Sequence, residues 1–427
     1  MERKIDKYFD EWKQNNNKNP IILSGSTMVG KSYSVLKFGK EKYSQYIYIN
    51  LEYNPLVVSL LNKEINVDRL FEKLCLLYNK DSNNLDTLII FDNVDYYDKL
   101  IPVLLRFKDS KNNYSVISIC NSIKLPQNNT SYVGKITFHK MYKMSFEEFL
   151  TVNKQPGLAE FINESFKLDK KFRYHDLAFE YFSKYLVIGG YPSVVKTYLE
   201  TKDMSKVLLK QHEIIKNINN YIFKNYEGNK QKILSSFSSL PMQLFKSNKK
   251  FQYGTIKKGA RQSEYKGPID WMKKHEIYIK CLKVKKINRS IAGAADDASF
   301  KLFLNDSGLL SSLYGINYDN ILDKKWQKHL YAILQNYIAS TLYENGYPVY
   351  YYESEGKASV PFVIQSMKGE VIPIDIERRK KAKNITQFTK DNNIKKAINF
   401  TFDNFSKNGN IINIPIYAVY CLKKGDW

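Results

Sequence analysis

The stretch Gly25-Ser26-Thr27-Met28-Val29-Gly30-Lys31-Ser32 fills every defined position of the pattern G-x-x-x-x-G-K-[ST]. It follows the apolar run Ile21-Ile22-Leu23 and precedes a helix-like stretch over 33–38, the context that this pattern requires. Glycines there let the backbone curl, so that successive N–H groups and a helix N-terminus face phosphate oxygens. Lys31 would reach the β- and γ-phosphates and Ser32 would hold Mg²⁺, which makes ATP with Mg²⁺ the expected cofactor pair. The expected binding set is Gly25, Ser26, Thr27, Met28, Val29, Gly30, Lys31, Ser32 and Tyr33. Sixty-one residues after Lys31, the strand-like Thr87-Leu88-Ile89-Ile90-Phe91 ends in Asp92, whose carboxylate would complete the magnesium shell through water.

Hydrolysis needs in addition a group that orients the attacking water in line with the γ-phosphate. The residue after Asp92 is Asn93, whose amide can position a water but cannot accept its proton. Lys31, Asp92 and Asn93 therefore form the expected catalytic set, with slow turnover unless Asp95 or another group substitutes. Asn121 and Ser122, just past a strand over 115–120, are candidates to sense the γ-phosphate, and equally read as a polar strand-end cap.

These residues need a scaffold that brings strand ends together. Short apolar bursts recur at Ile21-Ile22-Leu23, Tyr46-Ile47-Tyr48-Ile49, Leu88-Ile89-Ile90-Phe91 and Ser115-Val116-Ile117-Ser118-Ile119, separated by helix-length stretches. Such a pattern predicts a parallel sheet covered on both faces, with a short helix ahead of it around Ile5, Tyr8, Phe9 and Trp12. From about 145 to 226 the pattern is helical. Helices are expected over 232–245 and 261–274 and a strand over 277–284, an order that suggests a winged-helix module. A long helix over 326–345 and strands over 349–353, 360–365, 370–376 and 414–422, with a helix between the last two, predict a small α/β domain. The fold class is α/β, divided as a P-loop core (1–144), a helical lid (145–226), a winged-helix module (227–312) and a C-terminal domain (313–427).

The length of 427 residues admits several domains, and 43% hydrophobic with 14% aromatic residues excludes a mostly disordered or collagen-like chain. No apolar run approaches the roughly 18–20 residues that span a bilayer, and the acidic, basic opening is unlike a signal peptide, so a cytoplasmic protein without membrane partners is expected. The four cysteines lie far apart and read as core thiols; the five histidines are scattered and read as structural. A net charge of +23 favours polyanions such as nucleic acid, while the eight arginines are few for base-edge readout. The run Arg378-Arg379-Lys380-Lys381 reads as a solvated turn.

With these residues in place, the chain resembles a family of prokaryotic AAA-type ATPases whose C-terminal half is a conserved domain of unknown function. The phosphate loop is followed by Tyr48-Ile49-Asn50-Leu51-Glu52, similar to the family's Y-I-N-L-E strand, and by the Walker B strand ending in Asp92. Met144-Ser145-Phe146-Glu147-Glu148-Phe149-Leu150 is similar to P-M-S-F-E-E-F-L, and Gly189-Gly190-Tyr191-Pro192 to G-G-x-P. Phe251-Gln252-Tyr253 with Gly259-Ala260-Arg261, Phe300-Lys301-Leu302-Phe303-Leu304-Asn305-Asp306-Ser307-Gly308-Leu309-Leu310, Asn336-Tyr337-Ile338-Ala339 and Ile372-Pro373-Ile374-Asp375 continue the pattern.

The resemblance implies an AAA-type core, a helical lid, a winged-helix module and a C-terminal restriction-endonuclease-like fold. Asn93 stands where the family commonly has the Walker B glutamate. The nuclease-like carboxylate and lysine positions fall at Gln335, Pro361, and Asp375 with Glu377, near Glu353 or Glu355. An amide, a proline and an acid in place of the lysine do not make a metal-dependent nuclease site, so a non-catalytic domain is expected. Arg106 and Arg173 are the candidates for an arginine finger, and Lys135 sits where relatives often have arginine. On the winged-helix module, Lys257, Lys258, Arg261, Lys266, Lys273 and Lys274, with Lys280, Lys283, Lys285 and Lys286 of the wing, would face phosphates or simply solvent. Two functions are therefore carried forward: a slow ATP-dependent switch that can oligomerise, and a DNA- or protein-binding adaptor in which nucleotide is structural.

Overall fold

The computed structural model describes residues 1–15, 17–122, 130–168, 170–246, 249–287, 290–318, 327–354, 359–377 and 383–425. The chain divides into two compact units, Met1–Lys143 and Met144–Trp427. The first boundary thus falls one residue before the expected one.

The first unit opens with α1 (Lys4–Gln14) and then winds β1 (Ile21–Ser24), α2 (Lys31–Lys42), β2 (Gln45–Asn50), α3 (Pro55–Lys63), α4 (Val67–Leu77), β3 (Thr87–Asp92), α5 (Leu100–Asp109), β4 (Ser115–Ile119) and β5 (Thr137–Lys140). All paired strands run parallel, in the order β2-β3-β4-β1-β5. Every residue of β3 and β4 is buried, as expected of central strands covered by helices on both faces. Ile47, Ile49, Ile89, Phe91 and Val116 of the sheet pack with Leu70, Phe71 and Leu74 of α4 and Leu104 and Phe107 of α5. β5, with its mixed sequence Thr137-Phe138-His139-Lys140, carries no apolar burst to announce a strand; pairing with β1 at Leu23↔His139 and Ser24↔Lys140 forms it. The parallel order sets the C-terminal ends of β1, β4 and β3 side by side, where open α/β sheets place their ligands.

The second unit begins with α6 (Phe146–Val152), α7 (Pro156–Leu168), α8 (His175–Ile188), α9 (Pro192–Thr201) and α10 (Met204–Asn225). Then follow α11 (Lys230–Phe245), α12 (Tyr253–Ile256), α13 (Gln262–Lys274), β6 (Tyr278–Val284), β7 (Ala295–Leu304), α14 (Ser307–Tyr314) and α15 (Gln327–Glu344). The chain ends with β8 (Tyr350–Glu353), β9 (Ser359–Gln365), β10 (Val371–Ile376), α16 (Lys383–Asp391), β11 (Ala397–Thr401), β12 (Ser406–Asn408) and β13 (Ile411–Pro415). The eight strands form one mixed sheet, β12-β13-β11-β10-β9-β8-β6-β7. Segments expected as two modules, 227–312 and 313–427, therefore share a sheet: β6 pairs with β7 on one side and with β8 on the other.

The strand expected over 414–422 is corrected. β13 ends at Pro415, and 416–421 form a buried 3₁₀ turn. A continuous apolar run does not distinguish a strand from a buried turn, and Pro415 offers no N–H to extend the ladder. Trp326, Glu355 and the run Arg378-Arg379-Lys380-Lys381 lie outside the described residues.

Segments that carry the resemblance meet inside this unit. The Asp306 carboxylate accepts Leu309 N at 2.8 Å, capping α14, and Gly190 N at 2.8 Å. A Cβ on Gly189 would lie 2.2 Å from Asp306 Oδ1, and one on Gly308 would lie 2.5 Å from Ile188 O, so both positions require glycine. Asn336 completes the junction by accepting Leu304 N at 2.8 Å and donating to Leu304 O at 3.1 Å.

Candidate nucleotide-binding site

β1 delivers the chain into the loop at Gly25, whose φ is +153° and whose absent Cβ would stand 2.1 Å from Met141 O. Met28 (φ 66°) and Gly30 (φ 96°) also take left-handed backbone, which bends the loop back toward the start of α2. Gly30 caps α2 without a side-chain hydrogen bond, and the first turn of the 12-residue helix has no acidic residue. Its leading N–H groups thus form a donor set with the positive end of the helix dipole behind it, the chemistry that an anionic phosphate requires.

Lys31 is buried, and its ammonium donates to Gly25 O at 2.8 Å, Ser26 O at 2.8 Å and Asn121 Oδ1 at 2.9 Å. Ser26 and Val29 are buried with it, while Thr27, Met28 and Ser32 are half-buried. The Tyr33 side chain is 66% exposed, which leaves its backbone N–H in the first turn as the group relevant to phosphate.

On β3, Asp92 is buried, accepting Tyr48 Oη at 2.8 Å and Asn93 N at 2.8 Å. Burial, reinforced by the Asp92 carboxylate, raises the Tyr48 phenol above its ordinary range, so it acts as a donor throughout the working pH range. With both oxygens engaged, Asp92 suits an outer-shell, water-mediated role toward Mg²⁺, and Ser32 Oγ supplies a hard oxygen donor of the kind that ion takes. These residues fit a magnesium nucleotide.

Asn93 has left-handed backbone (φ 54°) and is half-buried. Asp95 is engaged elsewhere: its carboxylate accepts Asn121 N at 3.0 and 3.1 Å and Ser122 N at 2.7 Å. Burial pushes the Asp95 carboxyl up, opposed by those two amides and by the Lys31 charge. It therefore ties the end of β4 to the end of β3, and Asn121, held at its backbone by Asp95, presents its side chain to Lys31.

The remaining candidates make contacts of their own. Arg106 donates to Glu64 O and Leu61 O, fixing α5 to the end of α3 instead of standing free as a finger. Lys135 pairs with Asp109 at 2.9 Å on the surface. Arg173 is exposed beside the Tyr174 ring in the second unit. In the second unit, the Gly189-Gly190 turn donates its Gly190 N–H to Asp306. Sequence reasoning missed Arg3, Tyr48 as a partner of Asp92, and the clamping role of Asp95. Tyr48 lies in a quoted motif and two residues before the strand end, a signal that was available; Arg3 had none.

Residues 17–150 match the AAA domain family, and residues 179–320 match a domain of unknown function, DUF8612. Comparison with curated proteins gives no match. Among solved structures, similarity is found to a signal transduction ATPase with numerous domains and a tetratricopeptide repeat sensor from Pyrococcus horikoshii, at 12% identity over 81% of this chain and 45% of that one, TM-score 0.26. The chain thus spans under half the length of that protein. The Aeropyrum pernix ORC1 protein in complex with DNA is similar at 11% identity over 75% and 93% of the two chains, TM-score 0.30. Drosophila ORC bound to DNA is similar at 14% identity over 73% and 94%, TM-score 0.25. The family match over 17–150, with the phosphate loop and parallel sheet inside it, defines an AAA-type P-loop domain.

Proposed function

We propose that the protein binds ATP with Mg²⁺ at its first unit and works as a nucleotide-dependent switch with slow hydrolysis. The observation that carries this reading is the Lys31 ammonium, buried within the phosphate loop at the uncapped start of α2 and joined to Asn121. Ser32 and Asp92 would hold the metal, which when bound neutralises phosphate charge and polarises the γ-phosphoryl group. Slow turnover follows from the acceptors at hand: Asn93 takes no proton, and Asp95 is filled by three amide contacts. Lys31→Ala tests the reading; ATP affinity unchanged by that substitution would sink it.

A second reading, nucleic-acid binding by the second unit, is favoured by one observation. Supporting it is the order α11, α12, α13, β6, β7, the one expected for a winged-helix module, with Phe251 N donating to Phe300 O at 2.8 Å. Lys257, Lys258 and Arg261 ahead of α13, Lys266 within it, and Lys285 and Lys286 after β6 are exposed. Duplex-DNA anisotropy across a salt series decides, since phosphate contacts make log affinity fall linearly with log salt. Lack of binding at low salt removes it.

For residues 313–427 we propose an endonuclease-like domain without nuclease chemistry. Gln335 is neutral, Pro361 offers no ligand, and the Glu377 carboxylate accepts the Thr401 hydroxyl. Incubation with plasmid DNA and Mg²⁺ or Mn²⁺ tests this, cleavage being the contrary result.

A further inference from the structure

We infer that Arg3 is a positioning residue for the phosphate loop, aiming loop amides at the phosphates of a bound nucleotide through the carbonyl of Val29. The inference rests on the nucleotide reading above. Arg3 is 8% exposed and its guanidinium donates twice: Nη1 to Val29 O at 3.0 Å and Nη2 to Tyr142 O at 2.8 Å. The first acceptor lies within the loop, between Met28 and Gly30, whose left-handed backbone makes the bend. The second follows Met141, whose carbonyl abuts Gly25 at the other end of the loop. One side chain therefore joins the far turn of the loop to the segment against which the loop begins.

The consequence lies in the peptide plane. In a trans peptide the C=O and the following N–H point in opposite directions. Holding the Val29 carbonyl toward Arg3 therefore turns the Gly30 N–H away from Arg3, fixing the orientation of one donor of the anion cradle. Without that anchor, Val29, flanked by the left-handed Met28 and Gly30, loses the contact that orients its peptide, and the ordering of that peptide would be charged against nucleotide binding. A planar two-pronged guanidinium can serve both carbonyls at once, whereas an ammonium on a shorter reach serves one of them well.

The arm that carries Arg3 is itself fixed. Asp6 on the first turn of α1 pairs with Lys37 of α2 at 2.9 Å. Phe9 stacks on Phe38 with centroids 5.0 Å apart, and Tyr8 stacks on His139 of β5 at 4.1 Å. Arg3 N in turn donates to Asp6 Oδ2 at 3.2 Å. α1 is thereby a rigid support for the loop, and the group that benefits is any ligand bearing a di- or triphosphate.

The test compares Arg3→Ala and Arg3→Lys with the native 427-residue chain, titrating ATP, ADP and adenosine and recording thermal melting. Loss of two hydrogen bonds from a charged group predicts ATP and ADP affinity roughly 10- to 100-fold lower for Arg3→Ala. Adenosine affinity stays within about twofold, because the nucleoside makes no use of the loop amides. Arg3→Lys recovers part of the loss, and Lys7→Ala on the exposed side of α1 changes nothing. Unaltered ATP affinity in Arg3→Ala overturns the assignment, as does an equal loss of adenosine and ATP with lowered melting. Should Arg3→Ala fail to fold, Arg3→Lys carries the test, a loss confined to phosphate-bearing ligands at native melting temperature being the expected result. A native chain that binds no ATP overturns the nucleotide reading and this assignment with it; native binding with unaffected Arg3 variants overturns the assignment alone.

Discussion

Asn121→Ala is the sharpest test of how the phosphate loop and the end of β4 are joined. The Asn121 carboxamide accepts one of three hydrogen bonds from the Lys31 ammonium, at 2.9 Å and partly buried. Phosphate oxygens of a bound nucleotide would compete for that same ammonium, so binding would exchange the amide for phosphate. A hydrogen bond to a charged group contributes about 1.5–3 kcal/mol, and partial exposure brings this one to the lower end. Removing the competitor therefore tightens ADP binding by up to about tenfold, since about 1.4 kcal/mol is one decade in Kd. ATP gains less, because an amide at this position would bond the γ-phosphate and is lost in the variant. Parallel calorimetric titrations of ADP and ATP, with a thermal melt to establish folding, read both effects. Unchanged or weaker ADP binding by a folded variant would refute the exchange, as would an equal gain for the two nucleotides.

Gly25→Ala places a Cβ 2.1 Å from a backbone oxygen, and must displace either the loop or 141 by about an ångström from ordinary contact; nucleotide affinity should fall at least tenfold with a lowered melting temperature, and native values for both would contradict the packing. Gly189→Ala drives a methyl into the Asp306 carboxylate at 2.2 Å and breaks the cap of α14, for which a loss of about 2–4 kcal/mol in urea unfolding is expected against none for the exposed Gly254→Ala. His275, stacked on Trp271 at 3.9 Å, has its pKa lowered to about 4 by burial and by Lys274. The folded state thus disfavours the imidazolium: its contribution is intact above the unfolded value near 6.5 and is lost as pH falls from there toward 4, by about 2–3 kcal/mol. Denaturant unfolding at pH 7.5, 5.5 and 4.5 should show this decline in the native chain and a shallower one in His275→Gln; identical slopes would refute it.

The phosphate loop and its sheet were legible because their signals are local. A glycine pattern between an apolar strand and a helix, and a fully buried strand ending in an acid, each state their own structure. β5 was illegible because its residues, Thr137-Phe138-His139-Lys140, owe their strand to pairing with β1 and not to any period of their own. The same reason explains the second unit: β6 and β7 read as a wing, and only their pairing with β8 joins them to the C-terminal strands. Within the site, Lys31, Ser32 and Asp92 announce themselves by motif, whereas the roles of Arg3 and Asp95 depend on acceptors and donors 26 residues or more away in sequence. Several segments of the second unit that resemble the AAA-type family meet at Asp306, Gly189 and Asn336, where they form a packing junction, and a motif alone does not distinguish such a junction from a site of chemistry.

ATP affinity measured beside steady-state phosphate release, for the native chain and for Asn93→Glu, decides whether the site holds nucleotide without turning it over. The native chain is expected to bind ATP yet turn over far below the roughly 10 s⁻¹ typical of enzymes, and Asn93→Glu to speed phosphate release with affinity preserved. Ordinary native turnover, or no acceleration by a glutamate placed beside Asp92, would contradict this reading.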